Sequence, residues 1–225
     1  MGARVFVWLG GALFAASLGF CAWTYLFVFG RHDPPAGWPA IAADAALITI
    51  FAVHHSLFAR EHVKEWLVGA VPAPLLRSLY VWIASLLLIL VCFLWRPIGG
   101  DLYAAEGLLA IALAAVQLAG LWITSRGVAR IDPLELAGIR PAAQAQGLQV
   151  TGPYRWVRHP LYLGWLLMVF GAAHMTRDRL AFAAITLLYL VIAIPLEERS
   201  LRRSFGDAYL RYMRDVRWRM IPFIY

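Results

Sequence analysis

The chain has 225 residues, of which 62% are hydrophobic and only 15% charged. Soluble domains carry roughly 45–50% apolar and about 25% charged residues. The apolar excess must face lipid, which excludes a soluble enzyme, a disordered chain and a disulfide scaffold. The net charge of +7 comes from 19 Arg and one Lys against 13 acids, and its placement reports topology. Cys21 and Cys92 lie in apolar stretches and read as small core residues.

Six apolar segments follow in chain order: Val5–Phe29, Ala40–Phe58, Ser78–Trp95, Tyr103–Thr124, Leu161–Met175 and Leu180–Leu196. Most approach the ~20 residues a membrane-crossing helix needs, and in lipid each must be helical to satisfy its backbone. The first has Arg4 ahead of it, but its 25 residues exceed a signal-peptide core of about 7–15, so it reads as an anchor. Thr176–Arg179 is short enough to join the last two segments as a tight helical hairpin.

The expectation is an all-α integral membrane protein of about six transmembrane helices with a C-terminal interfacial helix. It forms one membrane domain, 1–225. Four N-terminal spans occupy 1–124, a cytoplasmic loop 125–160, the helical hairpin 161–196 and a cytoplasmic amphipathic tail 197–225.

With the N-terminus inside, 16 basic residues fall on the cytoplasmic side. Arg31, Arg96, Arg177 and Arg179 are the 4 on the outer side. That asymmetry is the positive-inside pattern. Both termini are then cytoplasmic, and the basic balance serves anionic lipid in place of nucleic acid. A composition rich in Ala, Arg and Leu and almost without Lys looks bacterial, which places the protein in a bacterial inner membrane.

Polar chemistry collects at one end. TGPYRWVR at Thr151–Arg158 leads into HPLYLG at His159–Gly164. Pro160 suits the first position of a helix, where its missing N–H costs nothing. Arg158 and His159 then sit at the positive end of span five, which favours an anionic group. Gly164, one turn in, lets a ligand or another helix approach closely. Span six returns inward and ends at Pro195-Leu196-Glu197-Glu198. The two inner ends should face each other, so that Arg158, His159, Glu197, Glu198, Tyr154 and Tyr162 line one cytoplasmic mouth.

RHPLYLG, then EER at Glu197–Arg199, then FGDAYLRYMRDV at Phe205–Val216, together resemble the isoprenylcysteine carboxyl methyltransferase superfamily of integral membrane enzymes. Phospholipid N-methyltransferases are among its members. The resemblance implies S-adenosylmethionine as cofactor, in a pocket formed by the last two helices and the C-terminal segment. Carried over residue by residue, that pocket comprises Tyr154, Arg158, His159, Pro160, Tyr162, Gly164, Glu197, Glu198, Tyr209 and Tyr212. The bland alternative for the last two is amphipathic anchoring at the membrane surface.

FAVHHSLFAR at Phe51–Arg60, Leu76–Tyr80 and LELAGIR at Leu134–Arg140 are similar to the methanethiol S-methyltransferase and NnrU-like branch. The chain departs from that branch at Glu135 and Ala137, where aspartate and phenylalanine are expected, and at His54, where glutamine is expected. With these stretches the resemblance spans about three quarters of the chain.

His54 and His55 lie within span two, about one turn short of its inner end. Polar residues inside a membrane span are functional hypotheses by default. They are candidates, with Arg60 and Arg158, to orient an acceptor or deprotonate a thiol. The bland reading has one histidine bonding a neighbouring helix and one reaching the headgroups. Asp44, Glu106 and His174 read as interfacial, and no converging ligand set for a metal is visible.

The resemblance thus implies an S-adenosylmethionine-dependent methyltransferase acting on a small or lipophilic thiol within the bilayer. The alternatives are methylation of an isoprenylcysteine-like carboxylate or a lipid amine, and an NnrU-like haem-binding protein without methyltransferase activity.

Overall fold

A computed structural model of the chain describes residues 2–35, 37–58, 63, 69, 71–140 and 147–225. In chain order its elements are α1 (Gly2–Trp23), continued by a π-helical turn at Thr24–Val28, α2 (Trp38–Phe58) and α3 (Ala73–Leu94). Then come β1 (Asp101–Ala104), α4 (Gly107–Val128), α5 (Pro133–Leu136) and a 3₁₀ turn at Gly152–Arg155. The last elements are α6 (Pro160–Phe170), β2 (His174–Thr176), α7 (Arg177–Phe205) and α8 (Asp207–Asp215). Among the described residues, five helices are long and apolar enough to cross a membrane: Gly2–Val28, Pro39–Phe58, Pro74–Leu94, Gly107–Val128 and Arg177–Phe205. Arg60, with the rest of 59–62, lies outside the described residues.

The chain divides into two compact units, Met1–Gly100 with Asp132–Ala145, and Asp101–Ile131 with Gln146–Tyr225. In the first, α1 packs on α3. Trp82 donates its indole N–H to the carbonyl of Phe6 at 3.1 Å and stacks on the Phe6 ring at 5.6 Å. The α5 segment, expected in a cytoplasmic loop, docks on α3. Arg77 Nε donates to the Glu135 carbonyl at 3.1 Å, and Gly138, at φ +69°, sits so close to Val81 and Ser78 that no Cβ fits. Asp44, expected at the interface, is fully buried, its carboxylate accepting the Arg96 backbone N–H at 2.9 Å.

In the second unit α6 runs beside α4. A Cβ on Gly164 would lie 2.1 Å from Thr124 Oγ1 and 2.7 Å from the Gly120 carbonyl, and one on Gly127 would meet Leu161. Only small residues allow this crossing. The core between α6 and α7 holds Leu166, Leu190, Ile194 and, from the C-terminal segment, Met220.

Three features differ from the expectation. First, α6 is 11 residues, about 16 Å at 1.5 Å per residue, half of a ~30 Å hydrocarbon core. After Phe170 the chain is extended, and β2 pairs antiparallel with β1 through Asp101↔Thr176, Tyr103↔Met175 and Ala104↔His174. Tyr103 also donates its hydroxyl to the Ala172 carbonyl at 3.1 Å. The fold is therefore mostly, not wholly, helical. The strand pair satisfies backbone groups that a missing helical turn would leave open.

Second, the hairpin link is this extended stretch. Thr176 caps α7 by accepting the Arg179 N–H at 3.2 Å, so Arg177–Arg179 are already helical. Third, α7 does not end near Pro195 but continues to Phe205. Proline removes only one backbone bond, and helices in lipid tolerate it where neighbours compensate. Glu197 and Glu198 consequently sit on a continuing helical face.

Candidate active site

The N-terminus of α6, the C-terminal third of α7 and the segment after α8 converge on Glu198. This carboxylate is fully buried, and Arg158, its side chain 5% exposed, donates from Nε to Oε1 at 2.6 Å. Arg158 Nη1 also donates to the carbonyls of Val216 and Arg217, both at 2.7 Å. The backbone follows suit: the N–H groups of Arg158 and His159 donate to the carbonyls of Trp218 and Arg219 at 2.9 and 2.7 Å. A buried charge pair survives only with such additional bonds. The local sequence dictates this junction, because Pro160 starts α6 and leaves residues 158–159 extended, free to pair with another extended strand.

Beside this pair lies a more open one. Glu197 accepts the Tyr162 hydroxyl at 2.8 Å and lies 3.5 Å from His159 Nδ1, while the His159 and Tyr162 rings stack at 5.4 Å and 3°. The two glutamates thus differ: Glu198 is locked inside, and Glu197, its side chain 43% exposed, borders solvent. Tyr212 donates its hydroxyl to the Tyr154 carbonyl at 2.7 Å, which ties α8 to the 3₁₀ turn. Tyr209 and Tyr212 are buried against Val216, Leu148, Leu201 and Phe205. They serve the protein interior, not a membrane surface.

Three buried polar atoms at this mouth have no hydrogen-bond partner among the described residues: His159 Nε2, Glu198 Oε2 and the Tyr209 hydroxyl. The first two have only ionic neighbours, His159 Nε2 at 3.5 Å from Glu198 Oε1 and Arg219 Nε at 3.3 Å from Glu198 Oε2. Burial, helped by Glu197, pushes the Tyr154 phenol up to about 12. Burial also raises Tyr209, with Glu198 adding to it, and raises Tyr212. All three phenols stay protonated and can donate. An imidazole nitrogen and a donor hydroxyl without hydrogen-bond partners among the described residues, together with a carboxylate oxygen whose close neighbour is Arg219, suit a ligand bearing an ammonium, hydroxyls and a carboxylate.

Gly164 and Pro160 have packing roles of their own. Gly164 faces α4, so its missing side chain serves the helix crossing. Pro160 is buried at the first turn of α6. Arg219 is the residue that sequence reasoning missed. It contacts Glu198, donates from Nη1 to the Tyr225 hydroxyl at 3.1 Å and lies over the Tyr225 ring at 5.2 Å. As one arginine among several in the tail, it carried no distinguishing signal.

The first unit holds its own polar cluster. The Tyr80 hydroxyl lies 2.5 Å from His55 Nδ1, and Arg77 lies over the Tyr80 ring at 5.2 Å. His54 stacks on Tyr80 at 5.6 Å and contacts Phe58 at 4.4 Å. Neither of its buried ring nitrogens has a hydrogen-bond partner among the described residues.

Residues 109–208 match the phospholipid methyltransferase family. Methanethiol S-methyltransferase 1 of Bradyrhizobium diazoefficiens is 37% identical over 79% of this chain and 65% of its own length. The methanethiol S-methyltransferase of Pseudomonas deceptionensis is 35% identical over 81% of this chain and 74% of its own. The chain belongs to the methanethiol S-methyltransferase family of membrane methyltransferases. Nurim of Sus scrofa is a more distant relative, 28% identical over 77% of this chain and 76% of its own length. No solved structure matches. The methyltransferase family match includes α6, most of α4 and the Glu197-Glu198 face of α7, so the Arg158–Glu198 cluster lies inside it.

Proposed function

We propose that this chain transfers a methyl group from S-adenosylmethionine to a small thiol such as methanethiol, at the recess around Glu198. The observation that carries the reading is the set of three buried polar atoms without hydrogen-bond partners among the described residues, His159 Nε2, Glu198 Oε2 and the Tyr209 hydroxyl, where α6, α7, α8 and the C-terminal segment meet, in a chain whose relatives are named methanethiol S-methyltransferases. Bound there, S-adenosylmethionine supplies an electrophilic methyl group on a sulfonium.

The chain's residues divide the remaining work. Glu198 and the Tyr209 hydroxyl hold amino or ribose groups. Glu197 with Tyr162 forms the solvent-side wall, and His159, 3.5 Å from each glutamate, braces the start of α6 against them. Arg158 has its Nε and Nη1 engaged by protein, so it acts by fixing Glu198 and the tail. A thiol acceptor reacts as thiolate. On sequence grounds alone, His54, His55 and Arg60 are assigned to the acceptor, with His54 taking the thiol proton. A sulfonium and a thiolate lose their charges as they react, so a water-poor apolar surround favours the step over bulk water, and alignment supplies much of the rest.

The proposed topology has six crossings with both termini cytoplasmic, in a bacterial inner membrane with the recess open to the cytoplasm. The pairing of β2 with β1 supports it. β1 precedes α4 and β2 precedes α7, so α6 and its extended sequel travel from one end of α4 to the other. The short helix and the strand together make the crossing.

The test is headspace chromatography of dimethyl sulfide formed from methanethiol and S-adenosylmethionine by protein in lipid nanodiscs. Production by wild type that falls at least tenfold in Glu198→Gln and His54→Ala supports the assignment. Absence of product with methanethiol and longer thiols refutes the acceptor class.

A further inference from the structure

On the second unit, a groove of about 600 Å³ lies beside the extended end of the C-terminal segment. Its apolar walls include Ile123 of α4, Leu163 of α6, Trp156, Trp218 and Phe223, and its charged lining residues are Arg155, Arg217 and Asp215. Ile123 lies within the last turn and a half of a candidate membrane span. The groove therefore straddles the level where a hydrophobic span meets water.

The tail is shaped to hold apolar groups out at that level. Phe223 adopts φ +66°, the single non-glycine residue with positive φ among those described. A bulky residue there is strained. The strain is fixed by a turn in which Tyr225 donates its backbone N–H to the Ile221 carbonyl at 2.9 Å and its own carbonyl accepts the Met220 N–H at 2.8 Å. The result leaves Phe223 84% and Ile224 77% exposed.

Trp218 lies 5.5 Å from Phe223, and Trp156, which also lines the groove, stacks on Trp122 at 5.9 Å. Tryptophan clusters of this kind favour the membrane–water boundary. Among the described residues neither the Arg155 nor the Arg217 side chain has a hydrogen-bond or ion-pair partner, while Asp215 is the only acid lining the groove.

We propose that this groove binds one anionic phospholipid of the adjoining leaflet. Its acyl chain lies along Ile123, Leu163, Trp218 and Phe223, and its phosphate pairs with Arg155 and Arg217. Two unpaired cations over one anion select a net-negative headgroup, and the apolar floor distinguishes a lipid from a free anion. This site is separate from the Glu198 recess, so it stands whichever methyl acceptor the protein uses.

The experiment is native mass spectrometry of the detergent-solubilised full chain, titrated with phosphatidylglycerol or with phosphatidylcholine of identical acyl chains. The result expected is preferential retention of phosphatidylglycerol. It should fall about tenfold or more in the Arg155→Gln/Arg217→Gln double variant, since each interfacial arginine contributes about fivefold, and should be unchanged in Arg4→Gln. Phe223→Ala, which removes the exposed ring but keeps a Cβ at the positive φ, should weaken retention of both lipids while leaving thermal stability unchanged. Equal retention of the two lipids, retention unaffected by the double variant, or displacement of the lipid by excess inorganic phosphate would overturn the proposal.

Discussion

Replacing Arg158 by methionine tests whether the Glu198 recess is organised around a buried ion pair. The substitution leaves Glu198, fully buried, with only the more distant Arg219 and His159, and strips the Val216 and Arg217 carbonyls of their donor. Removing one partner of a buried pair costs about 3–5 kcal/mol, most of it the stranded charge. For a chain of this size that corresponds to a fall in melting temperature of about 6–20 °C. The second arm is the double variant Arg158→Met/Glu198→Leu. Exchange of a whole buried pair for apolar residues is often neutral, so the double variant should recover most of the lost stability while remaining unable to bind the cofactor. The assay is thermal unfolding in detergent by thiol-reactive or intrinsic fluorescence, with cofactor binding measured in parallel. Arg158→Met melting within 2 °C of wild type would refute the reasoning, as would a double variant no more stable than the single.

Three further outcomes are expected. Tyr209→Phe removes a buried hydroxyl that has no protein partner among the described residues, so it should leave the melting temperature unchanged. It should weaken cofactor binding by roughly 2–12-fold, the worth of one hydrogen bond; calorimetry and melting curves check both halves. Gly164→Ala drives a methyl into Thr124 and the Gly120 carbonyl, and should destabilise by about 1–3 kcal/mol, with partial relief from Thr124→Ala in a melting assay. Arg219→Gln removes a half-exposed neighbour of Glu198 and should cost about 1 kcal/mol or less in stability. Because it frees Glu198 Oε2, it should alter the cofactor dissociation constant more than kcat, which steady-state kinetics would separate.

The membrane class, the boundaries of α2 and the meeting of Arg158 with Glu198 were legible in the sequence. They follow from hydropathy, from the position of Pro160 and from the forced antiparallel return of the last two helices. The span expected at Tyr103–Thr124 is shifted to Gly107–Val128 by the strand at Asp101–Ala104. What was not legible followed from tertiary context. Pro195 reads as a helix end from local chemistry, yet α7 continues past it because packing and lipid compensate one lost bond. The fifth span reads as apolar through Met175, but hydropathy does not distinguish a helix from a strand paired with β1. Gly164 reads equally as a ligand seat or a helix contact, and only Gly120 and Thr124 opposite decide it. Arg219 and buried Asp44 gave no signal, since charge near a span end looks the same whether it faces water or a partner.

The central claim is that the Glu198 recess binds the methyl donor. The most direct measurement is calorimetric titration of S-adenosylhomocysteine and S-adenosylmethionine into purified protein in nanodiscs, with Glu198→Gln beside it and melting curves confirming that both are folded. Saturable one-to-one binding to wild type, weakened at least tenfold in the variant, is the result expected. Folded wild-type protein that binds neither compound, or a variant that binds both as tightly as wild type, would contradict it.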